Sequence, residues 1–350
     1  MYNNIEEKLL HIVKKNIFDN NIIQNNDIIV VCLSGGRDSI CLFDILMSLS
    51  EVYNFKIIPM HINHGIRGKE AERDLEFVTK YCNDNGYDVY VCNVNALEYA
   101  KNNSLSIEES ARILRYIAFD DFYNELRVKY NNQNVFFALA HHKKDQAETI
   151  LHNIIRGTGI SGLIGMEMKN NFYLRPLLNI DKEDIDEYIE FLDLDFVDDT
   201  TNFDDEYTRN NIRLNILPRL NEINKNTILH LCDLSNDALE IEDYFNNKTK
   251  VLLDDNIIQF ENDMISVNAK NIKQFEKILK YYIIKNIFDK LNIKKKDITR
   301  KHYNDLIDLI DGNNNRHLDL PYNVVADKKN NILTIKINNY NLSMKNKKRS

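Results

Sequence analysis

The sequence predicts an α/β fold, a doubly wound, mostly parallel sheet, followed by a smaller C-terminal α+β domain. Three observations carry this. Four short runs, Ile28–Leu33, Lys56–Ile62, Tyr87–Val94 and Val135–Ala140, are nearly continuous in apolar character, as strands buried on both faces must be. Between them lie longer stretches of helical spacing, Ser39–Ser50, Ala71–Asn85 and Ile107–Leu126, with Leu75, Val78 and Cys82 sharing a face in the second. After residue 220 the alternation stops, and helical patterns precede short strands. Strands alternating with helices pair in parallel through right-handed crossovers.

Taken in order, each strand of the first half is followed by a loop of unusual composition. This matters because ligands of doubly wound sheets bind beyond the carboxyl ends of the strands. A further helix is expected over Asp181–Leu192, then a polar segment, Asp198–Glu206, then a helix over Asn210–Leu220. The second domain reads as helices over Thr227–Tyr244, Ile272–Leu291 and Lys301–Ile310, with strands near Asn323–Ala326 and Ile332–Ile337. The division expected is residues 1–220, then 221–340, then a basic tail over 341–350.

A chain of 350 residues with 43% hydrophobic and 28% charged residues has the composition of a globular protein of two or three units. Its net charge of −8 weighs against general affinity for nucleic acid, although it leaves room for a local basic face. Positive charge gathers at Lys294, Lys295, Lys296, Arg300 and Lys301, and again at Lys345, Lys347, Lys348 and Arg349. Such runs read equally as a solvated helix face with a frayed tail. The 5 cysteines are scattered and form no C-x-x-C pair, so neither a disulfide framework nor a zinc or iron–sulfur site is suggested. No segment reads as a signal peptide or membrane span, so a cytoplasmic protein with no membrane partner is expected.

The chain has only 10 glycines, and 8 of them fall in three clusters. The first is Ser34-Gly35-Gly36-Arg37-Asp38-Ser39, between the first strand and its helix. A loop there aims backbone amides and the positive end of a helix at an anion. It lacks the G-K-[ST] ending of a Walker loop. The second cluster holds His61, His64, Gly65, Arg67 and Gly68; by spacing alone the histidines are satisfied loop residues, and by position they suit a nucleotide. The third runs from Arg156 through Gly157, Gly159, Gly162 and Gly165 to Met166, either a connection or a mobile lid.

Three polar constellations complete the pattern. Arg112 and Arg115, three apart on a helix, share a face that is either solvated or aimed at one phosphate or carboxylate. Asp145 and Glu148 lie one turn apart in His141-His142-Lys143-Lys144-Asp145-Gln146-Ala147-Glu148-Thr149, a suitable pair for an ammonium group. Arg209 and Arg213 lie one turn apart in Tyr207–Pro218 and can reach phosphate, or merely begin a capped helix.

The loop at residues 34–39 resembles the PP-loop of ATP pyrophosphatases, enzymes that split ATP between the α- and β-phosphates and transfer AMP. Six segments in order, from about residue 28 to about 220, are similar to those of the lysidine synthetases: the loop, the H-x-x-H-G-x-R stretch, E-x-A-R-x-x-R-Y, the two-histidine motif, the glycine loop with Arg175-Pro176-Leu177-Leu178, and D-x-T-N…R-N-x-I-R-x-x-x-L-P, here Asp199–Asn202 and Arg209–Pro218. One position departs: Lys144 stands where the family has its first aspartate.

The resemblance implies an adenine nucleotide alpha hydrolase-like fold, with residues 1–220 catalytic and 221–340 binding tRNA. It implies ATP and Mg²⁺ as cofactors. ATP would be bound by Ser34, Gly35, Gly36, Arg37, Asp38, Ser39, His61 and His64, with Asp38 as the magnesium ligand. Asp38, Asp145, Arg112 and Arg115 would be catalytic, Asp145 and Glu148 would bind free L-lysine, and Arg209 and Arg213 would bind tRNA. The implied reaction adenylates the wobble cytidine of isoleucine tRNA, and the ε-amine of lysine then displaces AMP. Isoleucine tRNA and lysine are thus the expected partners, with a homodimer left open. Two alternatives stand beside it, a PP-loop enzyme of tRNA thiolation and a non-catalytic nucleotide-binding module.

Overall fold

The computed structural model describes residues 4–66, 69–131, 133–197, 207–295 and 297–338. Arg67, Gly68, the segment 198–206, Lys296 and the basic tail therefore lie outside the described residues. Two compact units divide the chain, residues 1–238 and 239–350.

The first unit opens with α1 (Ile5–Lys14), capped by the Asn4 side chain and continued by a π turn. The core alternation follows as β1 (Ile28–Cys32), α2 (Arg37–Tyr53), β2 (Lys56–Asn63), α3 (Lys69–Asp84), β3 (Tyr90–Asn93), α4 (Ala96–Asn103), α5 (Ile107–Lys129), β4 (Val135–Ala138) and α6 (Lys143–Ile155). Then come the single turn α7 (Ile160–Leu163), the hairpin β5 (Lys169–Asn170) with β6 (Tyr173–Leu174), and α8 (Lys182–Phe191). The helix expected over Asn210–Leu220 is built as α9 (Tyr207–Asn211), a π turn at Ile212–Ile216, and α10 (Leu217–Ile223). Last in this region is α11 (Thr227–Asp254), within which the division between the units falls.

The sheet runs β3-β2-β1-β4-β6-β5, all parallel except the pair β5–β6. β1 shows why the sheet must be covered on both sides. Ile29 and Val31 join one core with α1, α2 and α8, while Ile28 and Val30 join another with Phe119, Phe122 and Leu126 of α5. These four of the five β1 residues are fully buried, each worth about 1.5–3 kcal/mol against exposure. Between β1 and β4 the strand order reverses, and the crevice beyond their carboxyl ends is where the Ser34–Ser39 loop and the His141–Thr149 motif emerge.

The second unit is a five-stranded antiparallel sheet, β7 (Ile257–Glu261), β8 (Met264–Asn268), β9 (Arg316–Leu320), β10 (Val324–Lys329) and β11 (Ile332–Ile337), ordered β7-β8-β11-β10-β9. The helices α12 (Ala269–Ile272), α13 (Lys277–Lys290) and α14 (Arg300–Asp311) complete it, and its core joins the apolar face of α14 to β8, β10 and β11. Buried Lys328 donates to the carbonyls of Ile310 and Gly312, both at 2.6 Å, and so satisfies the end of α14. Among the described residues no helix is long and apolar enough to cross a membrane. Left-handed turns are made largely by asparagine: among the described residues, 9 of the 12 non-glycine residues with positive φ are Asn, for example Asn54, Asn171 and Asn330.

Candidate active site

The loop after β1 is shaped by its small residues. Gly35 has φ +92°, and a β-carbon there would stand 3.2 Å from Val78 of α3, so both conformation and space require glycine. Val197 donates to the Gly35 carbonyl at 2.9 Å. Ser39, nearly buried, donates to the Gly36 carbonyl (2.9 Å) and accepts from the Ser34 amide (3.2 Å). Gly36 caps the N-terminus of α2, whose 17 residues give the loop a positive helix end.

Asp38, in the first turn of α2, meets two groups the motif does not contain. Lys182, at the start of α8, reaches its Oδ1 at 2.5 Å and Asp186 at 3.0 Å. Burial works against the Lys182 charge, but Asp38 and Asp186 outweigh it and raise its pKa. His142 Nε2 lies 3.7 Å from the other Asp38 oxygen. Arg37 turns aside, its guanidinium 4.2 Å from the ring of Phe196 and 3.6 Å from Asp186. His61 is buried with Nδ1 2.9 Å from the Leu33 carbonyl, and burial lowers its pKa, so it is a neutral brace between β2 and the end of β1. His64 follows β2, its carbonyl accepting from Ala96 at 3.1 Å.

On the other side of His142 opens a cleft of about 540 Å³. Arg112 and Arg115 of α5 both line it, with Arg175, Arg209 and Arg213, so five arginines line one space. His141 feels them: burial first, then Arg175, Arg115 and Arg209, push its pKa down to about 4 against the pull of Asp145. At the α6 wall, Asp145 and Glu148 are held by Arg213, whose Nη2 donates to Asp145 at 3.0 Å and whose Nε donates to Glu148 at 2.9 Å. Burial alone would raise the Asp145 pKa; His142, His141, the His142 amide (3.0 Å) and Arg213 overcome it and hold the carboxyl below its usual range. Arg209 donates to Thr149 at 3.2 Å. Arg213 sits within the π turn, a distortion frequent at functional sites. His142 Nε2 is also 3.5 Å from Asp145, and so joins the loop to the cleft.

The glycine loop is not uniformly open. Gln146, buried on α6, accepts from the Met166 amide (2.7 Å) and donates to the carbonyls of Ile164 and Met166 (both 2.9 Å). Its Nε2 also lies 2.8 Å from the Ser235 hydroxyl, which itself donates to Ile164 at 2.6 Å, so the two amide hydrogens are shared among three acceptors. A β-carbon at Gly165, where φ is +64°, would fall 2.6 Å from the Gln146 oxygen. Residues 164–166 are therefore a stapled wall of the cleft rather than a lid, whereas Gly157 and Gly159 have open space around them. Sequence reasoning gave no role to His141, His142, Gln146, Arg175 or Lys182, which the structure places at the site. The first four lie inside the motifs, which was the available signal, and nothing local marked Lys182.

A strand, a serine–glycine loop, a helix N-terminus and a carboxylate in its first turn define a PP-loop ATP-binding enzyme, and the PP-loop domain model matches residues 1–220. The tRNA(Ile)-lysidine synthase of Caldanaerobacter subterraneus is 34% identical over 331 residues, covering 94% of this chain and 68% of that protein. That of Clostridioides difficile is 33% identical over 328 residues, covering 93% and 69%. The chain belongs to the tRNA(Ile)-lysidine synthase family. Among solved structures, a U34-tRNA thiolase from Methanococcus maripaludis has a TM-score of 0.56 at 18% identity, covering 67% of this chain and 80% of that one; the likeness is one of fold. Among the described residues no three His, Cys, Asp or Glu side chains are grouped to hold a metal ion.

Proposed function

We propose that this chain adenylates the wobble cytidine of an isoleucine tRNA in the cytoplasm and then joins free lysine to it. The observation that carries the reading is the bridge at His142, which lies within 3.7 Å of Asp38 on the ATP loop and 3.5 Å of Asp145 in the cleft. Nucleotide and amine sites are thus neighbours, as a two-step transfer needs. In the first step the cytidine 2-carbonyl oxygen attacks the α-phosphorus and pyrophosphate leaves. The loop amides and the start of α2 hold the phosphates, and Arg112 and Arg115 supply positive charge against the negative charge that builds on the α-phosphoryl oxygens.

The residues at the loop suit Mg²⁺, which takes one or two carboxylates plus phosphate oxygens. Asp38 offers such a carboxylate, and an ammonium of this chain stands on it, evidence that the position favours a cation. Magnesium there would offset repulsion between Asp38 and the polyphosphate and stabilise the leaving pyrophosphate. In the second step the lysine ε-nitrogen attacks the activated carbon and AMP leaves. Asp145 and Glu148 orient the ammonium, which must lose a proton before it can attack. Arg209 and the C-terminal unit contact the tRNA. One chain supplies every residue named, so the reading needs no second copy.

The test is incorporation of labelled L-lysine into unmodified isoleucine tRNA with ATP and Mg²⁺. Label that depends on ATP, and is lost in Asp38→Ala, is expected. ATP binding by folded protein without incorporation would overturn the reading and favour thiolation or a binding role.

A further inference from the structure

Asp145 and Glu148 form a cation site, and a cation of the same chain already fills it. The Glu148 side chain is only 4% exposed, so its carboxylate cannot remain without a counter-charge. Arg213 supplies that charge but is itself 35% exposed. The buried member of the pair is therefore fixed, and the accessible member is the one that can leave. Arg213 rises from a π turn between two short helical segments, a stretch that is less regular than the α6 wall it touches. Lysine carries the same charge as the guanidinium, so exchange of one for the other leaves the carboxylates neutralised throughout.

What would draw Arg213 off is an anion. The cleft beside it is lined by Arg112, Arg115, Arg175 and Arg209, a lining that concentrates phosphate. We propose that Arg213 is an exchangeable counter-ion that closes the Asp145–Glu148 pair to free lysine until a phosphate of the tRNA attracts its guanidinium. This rests on the reading of that pair as the lysine site. Its consequence is ordered binding: tRNA opens the amine site, and free lysine does not occupy it beforehand. By linkage, lysine strengthens tRNA binding by the factor with which tRNA strengthens lysine binding.

Equilibrium binding of labelled L-lysine to the full chain, without ATP so that nothing turns over, tests this. Wild-type protein is expected to bind lysine weakly alone and about 5–150-fold more tightly with unmodified isoleucine tRNA. Arg213→Met should bind lysine tightly without tRNA, lose the tRNA effect, and bind methylguanidinium in competition with lysine. Arg213→Lys, which keeps a shorter cation, should lie between and serves if the methionine variant does not fold. Lysine binding that tRNA leaves unchanged, or that weakens in both variants, would overturn the counter-ion role. Lysine binding unaffected by Glu148→Gln in any of these proteins would instead show that the amine site lies elsewhere.

Discussion

Replacing Gln146 by leucine is the sharpest test of the cleft wall. Leucine fills the space with no hydrogen-bonding group, so the cost is chiefly that of the lost hydrogen bonds. The wild-type amide makes at most three full bonds at once: one accepted from the Met166 amide, and two donated by Nε2, whose hydrogens are shared among the carbonyls of Ile164 and Met166 and the Ser235 hydroxyl. At about 1 kcal/mol net each they contribute roughly 3 kcal/mol. Ile164 keeps its bond from Ser235, which returns part of this, so a loss of about 2 kcal/mol is expected. For a unit of this size each kcal/mol shifts the midpoint by about 2–4 °C, giving a fall of about 4–8 °C. Circular dichroism on heating measures it, with lysine incorporation followed well below the transition. Gln146→Glu should be worse, because it sets a carboxylate against two carbonyls with no proton to donate. A leucine variant within about 2 °C of wild type, with unchanged turnover, would refute the staple.

Two further outcomes follow from buried ionisable groups. His141 has a folded pKa of about 4 against 6.5 unfolded, so the unfolded chain binds more protons between those values; stability is complete above pH 6.5 and falls by up to about 3 kcal/mol as pH drops through the window. His61 shifts in the same direction. Urea midpoints at pH 7 and pH 4.5 should therefore differ, less so in His141→Gln, and equal midpoints in the wild type would contradict the assignment. Lys328→Met removes two charge-assisted bonds from the end of α14 and should cost about 2 kcal/mol, read as faster hydrogen exchange in α14 and β10; unchanged exchange would mean water replaces the ammonium.

Much of the first unit was legible because burial on both faces leaves short apolar runs, and the turn-forming residues at their ends distinguish them from buried helix segments. Ile28–Val31 is such a run, and so is Val135–Ala138. The hairpin at residues 169–174 was missed because two-residue strands leave no periodicity. In the second unit β10 and β11 were anticipated, but β7, β8 and β9 were not. Exposed Gln259, Glu261 and His317 on β7 and β9, and buried Ser266 in β8, dilute the apolar signal. At the site, motifs brought Arg112, Arg115, Asp145, Glu148, Arg209 and Arg213 into view, and the structure lines one cleft with all six. Their partners were invisible: Arg213 on Glu148 spans 65 positions, and Lys182 on Asp38 spans 144. Contacts over such separations depend on topology, not on local pattern.

The reliance of this chain on asparagine at its left-handed turns has a consequence for how it tolerates change. Asparagine can adopt the positive φ that a turn demands, but it brings a side chain that needs room. At Asn54 or Asn330 the turn accommodates that side chain, and exchange with glycine in either direction should be nearly silent. At Gly35 and Gly165 the dihedral is of the same kind, yet Val78 stands 3.2 Å and Gln146 2.6 Å from where a β-carbon would go. Mutational drift can therefore trade the two residues freely along the periphery and stops at the two loops that face the cleft and the nucleotide.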